Sequence, residues 1–221
     1  MTSRPAETLA QRKRQLVADE LTRAALNLLA REGFDTVTVD AIAAAAGMSK
    51  RTFFRYFSSK EDVVVQFLAE MGTGMRNELA GRPAQEPPSA ALRHAVWCSI
   101  DACAGHADRA LPVVQLILGT PALHARFLEH QAQWRDALAV TVARRLGIEP
   151  AEELYPQMAA GMALTAFHTV LQRWSESNGA ADPAALTDRA FAVIAPALDT
   201  VPGRGAAGGG PAPADAGPAP A

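Results

Sequence analysis

Apolar residues recur three and four positions apart along this chain, with no alternating run, which is the period of helices that bury one face. The pattern predicts a first helix from about Leu9 to Glu32, with Val17, Leu21, Ala24, Ala25, Leu28 and Leu29 as its buried stripe. Gly33 stands where a left-handed cap ends such a helix, and Phe34 is placed to fold back on its last turn. Thr38 is an N-cap for a short helix over 39–46, with Asp40 favourable in its first turn. Gly47 breaks the chain, Ser49 caps a third helix over 50–57, and a fourth starts after Ser58–Ser59.

Downstream, the composition of GRPAQEPPS over 81–89 reads as a loop. Helices are predicted at about 89–104 and 107–118, then from the Thr120–Pro121 pair to Leu146, with a stop at Gly147. Two more are predicted at about 151–177 and 183–199, and from Pro202 onward a Pro/Gly/Ala-rich tail has too little apolar bulk to order itself. The expectation is an all-α chain: a helix-turn-helix head over 1–60, a helical body over 61–200 and a disordered tail over 201–221.

Charge changes this picture more than composition does. The net charge is only -2, yet residues 1–60 hold ten Lys/Arg against six Asp/Glu, or +4, while the rest holds eleven against seventeen, or -6. A basic head on an acidic body points to a polyanion at the head alone. The two cysteines, Cys98 and Cys103, lie five positions apart, about 140° around a helix, so pairing is disfavoured and a reduced, cytoplasmic chain is expected. The N-terminus has no apolar run of signal-peptide type. Leu154 to Gln172 lacks formal charge, but Pro156, Gln157, Thr165, His168 and Thr169 within it argue for a buried helix over a membrane span.

Two short helices joined by AAGMS after a longer one make a helix-turn-helix. On the second, Phe53 and Phe57 share one face as an aromatic root, and Arg51 and Arg55 lie on the opposite side. Lys50 and Phe54 flank one edge, Thr52 and Tyr56 the other. A major groove about 12 Å wide accepts such a helix, with Arg51 bidentate on a guanine edge. Thr38 and Ser49, at helix N-termini, have donors for phosphates, and Lys60 opens the next helix where a phosphate also fits. A merely solvated basic surface fits the same charges equally well.

The residues from Ala24 to Asp62 closely resemble the DNA-binding domain of TetR-family transcriptional regulators, through ALNLLAREGFD at 25–35, TVDAIAAAAGMS at 38–49 and RTFFRYFSSKED at 51–62. The resemblance implies about nine helices: three in the DNA head, a fourth linking it to a ligand-binding body, and the last two building a homodimer on double-stranded palindromic operator DNA. It carries Thr38, Ser49, Lys50, Arg51, Thr52, Tyr56 and Lys60 onto the family's DNA-contacting positions. Phe54 departs from a common Tyr there; without its hydroxyl it packs or meets a thymine methyl. Gln11 to Arg14, QRKR, is either a DNA-binding arm or a solvated charge run.

Residues 111–147 resemble the bodies of a subgroup described as binding acyl-CoA-like ligands, including regulators of mycofactocin clusters. Read directly, Phe127, Gln131, Trp134 and Leu138 share one stripe, and Trp97 lies inside the fifth helix. Met162, Thr165, Phe167 and His168 lie in the charge-free segment, one side of which is expected to face a pocket and the other a dimer partner. Trp97, Phe127, Trp134, Met162 and Phe167 are the candidate apolar lining, with Gln131, Thr165 and His168 as polar contacts; the same residues also suit an ordinary core. The histidines at 94, 106, 124, 130 and 168 show no i, i+4 pairing, and no catalytic, metal or cofactor motif is present. The expected function is a repressor released from its operator by an acyl-CoA-like or other elongated apolar molecule. A constitutive DNA-binding dimer, or a ligand carrier that keeps the head only as a fold, are the alternatives.

Overall fold

A computed structural model of the chain describes residues 8–104, 107–149 and 154–201, without the side chains of 101–104 and 107–109. The helices run in the order α1 (Leu9–Glu32), α2 (Val39–Ala45), α3 (Lys50–Tyr56), α4 (Lys60–Gly81), α5 (Pro88–Ala104), α6 (Ala107–Gly119), α7 (Pro121–Leu146), α8 (Tyr155–Glu176) and α9 (Pro183–Asp199). Among the described residues there is no strand, and no single helix is long and apolar enough to cross a membrane. The expected tail, His106 and any pairing of Cys103 lie outside the described residues, as do the first residues of the helix expected from 151.

Local chemistry explains most of the boundaries. The hydroxyl oxygens of Thr38, Ser49 and Ser59 accept from the amides of Ala41, Thr52 and Asp62, closing the N-termini of α2, α3 and α4. Asp182 does the same for α9. Thr120 makes no such bond; the start of α7 rests on Pro121, whose missing N–H costs nothing there. Gly33 differs from expectation: φ is +87° but ψ is 151°, so the chain leaves α1 extended and not through the left-handed cap. That extension carries Phe34 to Val37 toward the start of α4. QRKR is likewise no extended arm. Thr8 and Gln11 form a capping box, so the basic run makes the first turn and a half of α1.

α1, α2 and α3 pack around Leu21, Leu29, Ile42, Phe53 and Phe57, each 2% exposed or less. α4 leaves this head and runs between α5 and α7; α8 packs on α7 and α9, and α9 on α5. One continuous apolar cluster runs from Ala18 in the head to Leu198 in α9. Polar ties close the ends of the body. Arg145 donates to the carbonyls of Leu79, Arg82 and Pro83 at 2.6–3.1 Å, satisfying the open C-terminus of α4. Asp199 accepts from the amide and hydroxyl of Ser89, Arg93 pairs with Asp188, and the Tyr155 hydroxyl donates to Leu198 O. Together these fasten α9 to α5 and α8.

Candidate nucleic-acid interface and interior site

α3 is held by its aromatic root and turned outward by everything else on it. Phe53 is fully buried and its ring meets Phe57 at 5.6 Å. Gly47 makes the turn before it at φ +66°, with Met48 N–H donating to Ala43 O at 2.8 Å. On the outer side Lys50, Arg51 and Arg55 are exposed, and among the described residues Arg51 has no hydrogen bond or ion pair. A guanidinium of five donors with no partner among the described residues, on a helix anchored from behind, suits planar base or phosphate acceptors.

The other expected contacts are placed more variously. Thr38 and Ser49 are exposed and their oxygens accept the capping amides; the Thr38 hydroxyl proton can turn outward. Thr52 is half-buried and its hydroxyl pairs with that of Ser49 at 2.9 Å. Lys50 is ion-paired with Asp40 at 2.7 Å. Phe54 stands edge-on to Phe53 and is 50% exposed, so its ring is available to an apolar group and offers no hydrogen bond. The Tyr56 ring carries Arg55 at 5.1 Å and Arg14 of α1 at 5.9 Å, and Arg55 donates to its hydroxyl at 3.3 Å. The helical QRKR run thereby joins the outer face of the head through Arg14. Lys60 spends two donors inside the protein, on Phe34 O at 2.5 Å and Val37 O at 3.1 Å, with its ammonium over the Phe34 ring. One N–H remains for a phosphate.

Within the body, α7 and α8 bring six rings together. Phe127 contacts Trp134, Phe167 and His168 at 5.4–6.4 Å between centroids, and His124 stands edge-on to His168 at 5.8 Å. His130 lies 6.3 Å from Trp134. Burial lowers the pKa of both His130 and His168, the latter further through His124, so both favour the neutral form. The indole of Trp134 lies in a notch on α4: a Cβ at Gly72 would fall 2.1 Å from its Cδ1 and Nε1. Trp97 is half-buried and joins none of these rings. His124 and His130 were not among the expected contacts, although His124 falls three residues before Phe127 and seven before Gln131, on their stripe.

The structure also separates residues that the sequence had grouped. Met162 and Thr165 turn away from the rings into an open groove of about 680 Å³ between α8 and α9. Gly161, Met158 (60% exposed), Val193 (80% exposed) and Arg135 share that groove. One turn of α8 therefore cannot serve both sides: Phe167 and His168 face α7, while Met162 and Thr165 face outward. Beside Phe127 and Phe167 the described residues leave a cavity of about 20 Å³, room for one water at most.

An all-helical chain that presents a short basic helix on a helix-turn-helix head has the architecture of a bacterial DNA-binding regulator. Residues 21–67 match the family described as bacterial regulatory proteins, tetR family, and residues 86–199 match the MftR C-terminal domain. The chain is 31% identical to the transcriptional regulator TcmR of Streptomyces glaucescens over 75% of its own length and 76% of that protein. It is 30% identical to MftR of Mycobacterium tuberculosis over 88% and 98%. The chain belongs to the TetR family of transcriptional regulators, a class of DNA-binding proteins and not of enzymes. Its fold is similar to that of FadR from Bacillus subtilis in complex with stearoyl-CoA (TM-score 0.61, 20% identity, 80% of this chain and 97% of that one). It is also similar to Thermus thermophilus FadR in complex with lauroyl-CoA (TM-score 0.54, 24% identity, 87% and 100%).

Proposed function

We propose that the chain is a dimeric repressor whose head, residues 1–60, holds a palindromic operator and whose body, residues 61–200, senses an elongated apolar molecule of the acyl-CoA kind. The observation that carries the reading is α4. This single helix grips the loop before α2 through Lys60 and, twelve residues on, takes the Trp134 indole into its surface at Gly72. A ligand entering among Phe127, Trp134 and Phe167 displaces the indole against the same rigid element that positions Thr38 and α2. The two FadR neighbours solved with acyl-CoA support the ligand class.

A second copy covers the α8–α9 groove in this reading. Its small residues, Gly161 and Ala166, let helices approach closely, and its exposed Met158 and Val193 are apolar surface that a partner removes from water. Two heads on a two-fold axis then reach successive major grooves, with half-site centres about one helical turn apart. Arg51 reads a base, while Thr38, Ser49, Tyr56 and the remaining donor of Lys60 meet phosphates. Release follows only if the ligand prefers the form whose heads are misplaced, and operator DNA must then weaken ligand binding by the same factor.

The test is selection of operators from random DNA, then titration of the complex with acyl-CoAs of rising chain length. Affinity for the chain should rise with length by up to about 0.8 kcal/mol per methylene, and operator binding should fall in step. Specific DNA binding that no chain length disturbs would leave a constitutive dimer, the second reading, which the small size of the cavity beside Phe127 favours.

A further inference from the structure

Among the described residues, four buried polar atoms have no hydrogen-bond partner: His124 Nε2, Gln131 Nε2, Trp134 Nε1 and His168 Nε2. An unpaired buried donor is costly, and native interiors hold few. The indole and amide nitrogens are donors only, and each imidazole nitrogen donates in one tautomer. The cavity beside Phe127 and Phe167 touches none of the four. They are also ordered in space. His124, Gln131 and Trp134 lie on one stripe of α7, and His168 of α8 faces His124. From the histidine pair to Gln131 and Trp134 is about 10–15 Å along the helix. A saturated chain would bury these groups still unpaired.

We propose that this interior selects an elongated apolar ligand carrying hydrogen-bond-accepting oxygens at two places about 10–15 Å apart, and discriminates against the plain saturated chain. A carboxylate or thioester oxygen meets the His124–His168 pair, and a keto or ester oxygen meets Gln131 and Trp134. The inference rests on the reading of this interior as the effector site. It adds the polar chemistry that distinguishes one apolar ligand from another, since a site built to hydrogen-bond a group rejects the analogue lacking it.

The test uses the full chain and calorimetric titration with octadecanoyl-CoA, 10-oxooctadecanoyl-CoA and the two free acids. The oxo compounds should bind at least about tenfold more tightly than their plain counterparts, the effect of one satisfied buried donor. Gln131→Leu and Trp134→Phe should each reduce the ratio of oxo-chain to plain-chain affinity, whatever they do to plain-chain affinity itself. His168→Phe should weaken all four compounds and leave the oxo preference in place. The acid and thioester arms show which end group the histidines take. Without ligand, Gln131→Leu should raise Tm, because it removes an unpaired amide. Equal affinity for oxo and plain chains, a preference that survives in both variants, or a lower Tm for ligand-free Gln131→Leu would overturn the proposal. Equal binding with operator release would leave the sensor reading intact, whereas no binding by any compound would remove both.

Discussion

Arg51 and Lys60 are both cations that the sequence assigns to DNA, and their surroundings divide the work between them. Arg51 is exposed and without a partner among the described residues. Arg51→Ala should therefore leave Tm unchanged, cost about 1–3 kcal/mol of operator affinity and relax one base position in a selection experiment. Lys60 is half-buried and tied to two carbonyls. Lys60→Ala should lower stability by about 1–3 kcal/mol and weaken all sequences alike, since it frees the loop before Thr38 instead of removing a base contact. Thermal melts together with the two selections separate these outcomes. The buried His130 and the half-buried His168 supply a pH dependence. The folded-state pKa values of His130 and His168 lie below the ordinary 6.5, so the unfolded chain takes up protons first as pH falls. Stability present above about pH 6.5 should be lost on acidification below it, and His168→Phe should flatten that loss in melts between pH 7 and 5.

At the scale of elements, the helices of the head were legible because side chains in the sequence cap them. Thr38, Ser49 and Ser59 close the ends their positions suggest. Where an end depends on packing, the sequence misleads: the extended exit at Gly33 follows Phe34 and Val37 to Lys60, twenty-odd residues away in the chain. The contact of α4 with α7 is of the same kind. Gly72 reads as an ordinary small residue inside a helix, yet its missing Cβ is the space the Trp134 indole fills. Gly72→Ala, although favourable for helix propensity, should cost about 1–3 kcal/mol by overpacking. It should also shift tryptophan emission as the indole is displaced. An unchanged melt and spectrum would show that the two helices are not closely engaged.

For the whole molecule, the open α8–α9 groove is the surface on which the proposed second copy would sit. A Cβ at Gly161 would meet only Arg135 Cδ, at 3.9 Å. Gly161→Trp should thus leave the monomer folded and obstruct the partner. Sedimentation should show the unaltered chain as a dimer at micromolar concentration and the variant as a folded monomer with far weaker operator binding. A monomer for the unaltered chain would contradict the interface.

The helical period and the caps by themselves determined an all-helical chain with a helix-turn-helix head, because these are local: each depends on residues within a turn or two of one another. The DNA-reading role came from the resemblance of TVDAIAAAAGMS and RTFFRYFSSKED to the TetR family. The direction in which a helix face points is not local. Gly161, Thr165 and His168 form one stripe on paper, but α7 covers His168 and leaves Thr165 to the outside, so only packing assigned one to the interior and the other to the groove. In the same way a lysine, a glycine and a histidine took their roles at 60, 72 and 124 from carbonyls, an indole and an imidazole that the chain brings to them from tens of residues away. Tertiary structure decides such roles because burial and hydrogen bonding are satisfied by whatever lies near in space, whatever its position in sequence.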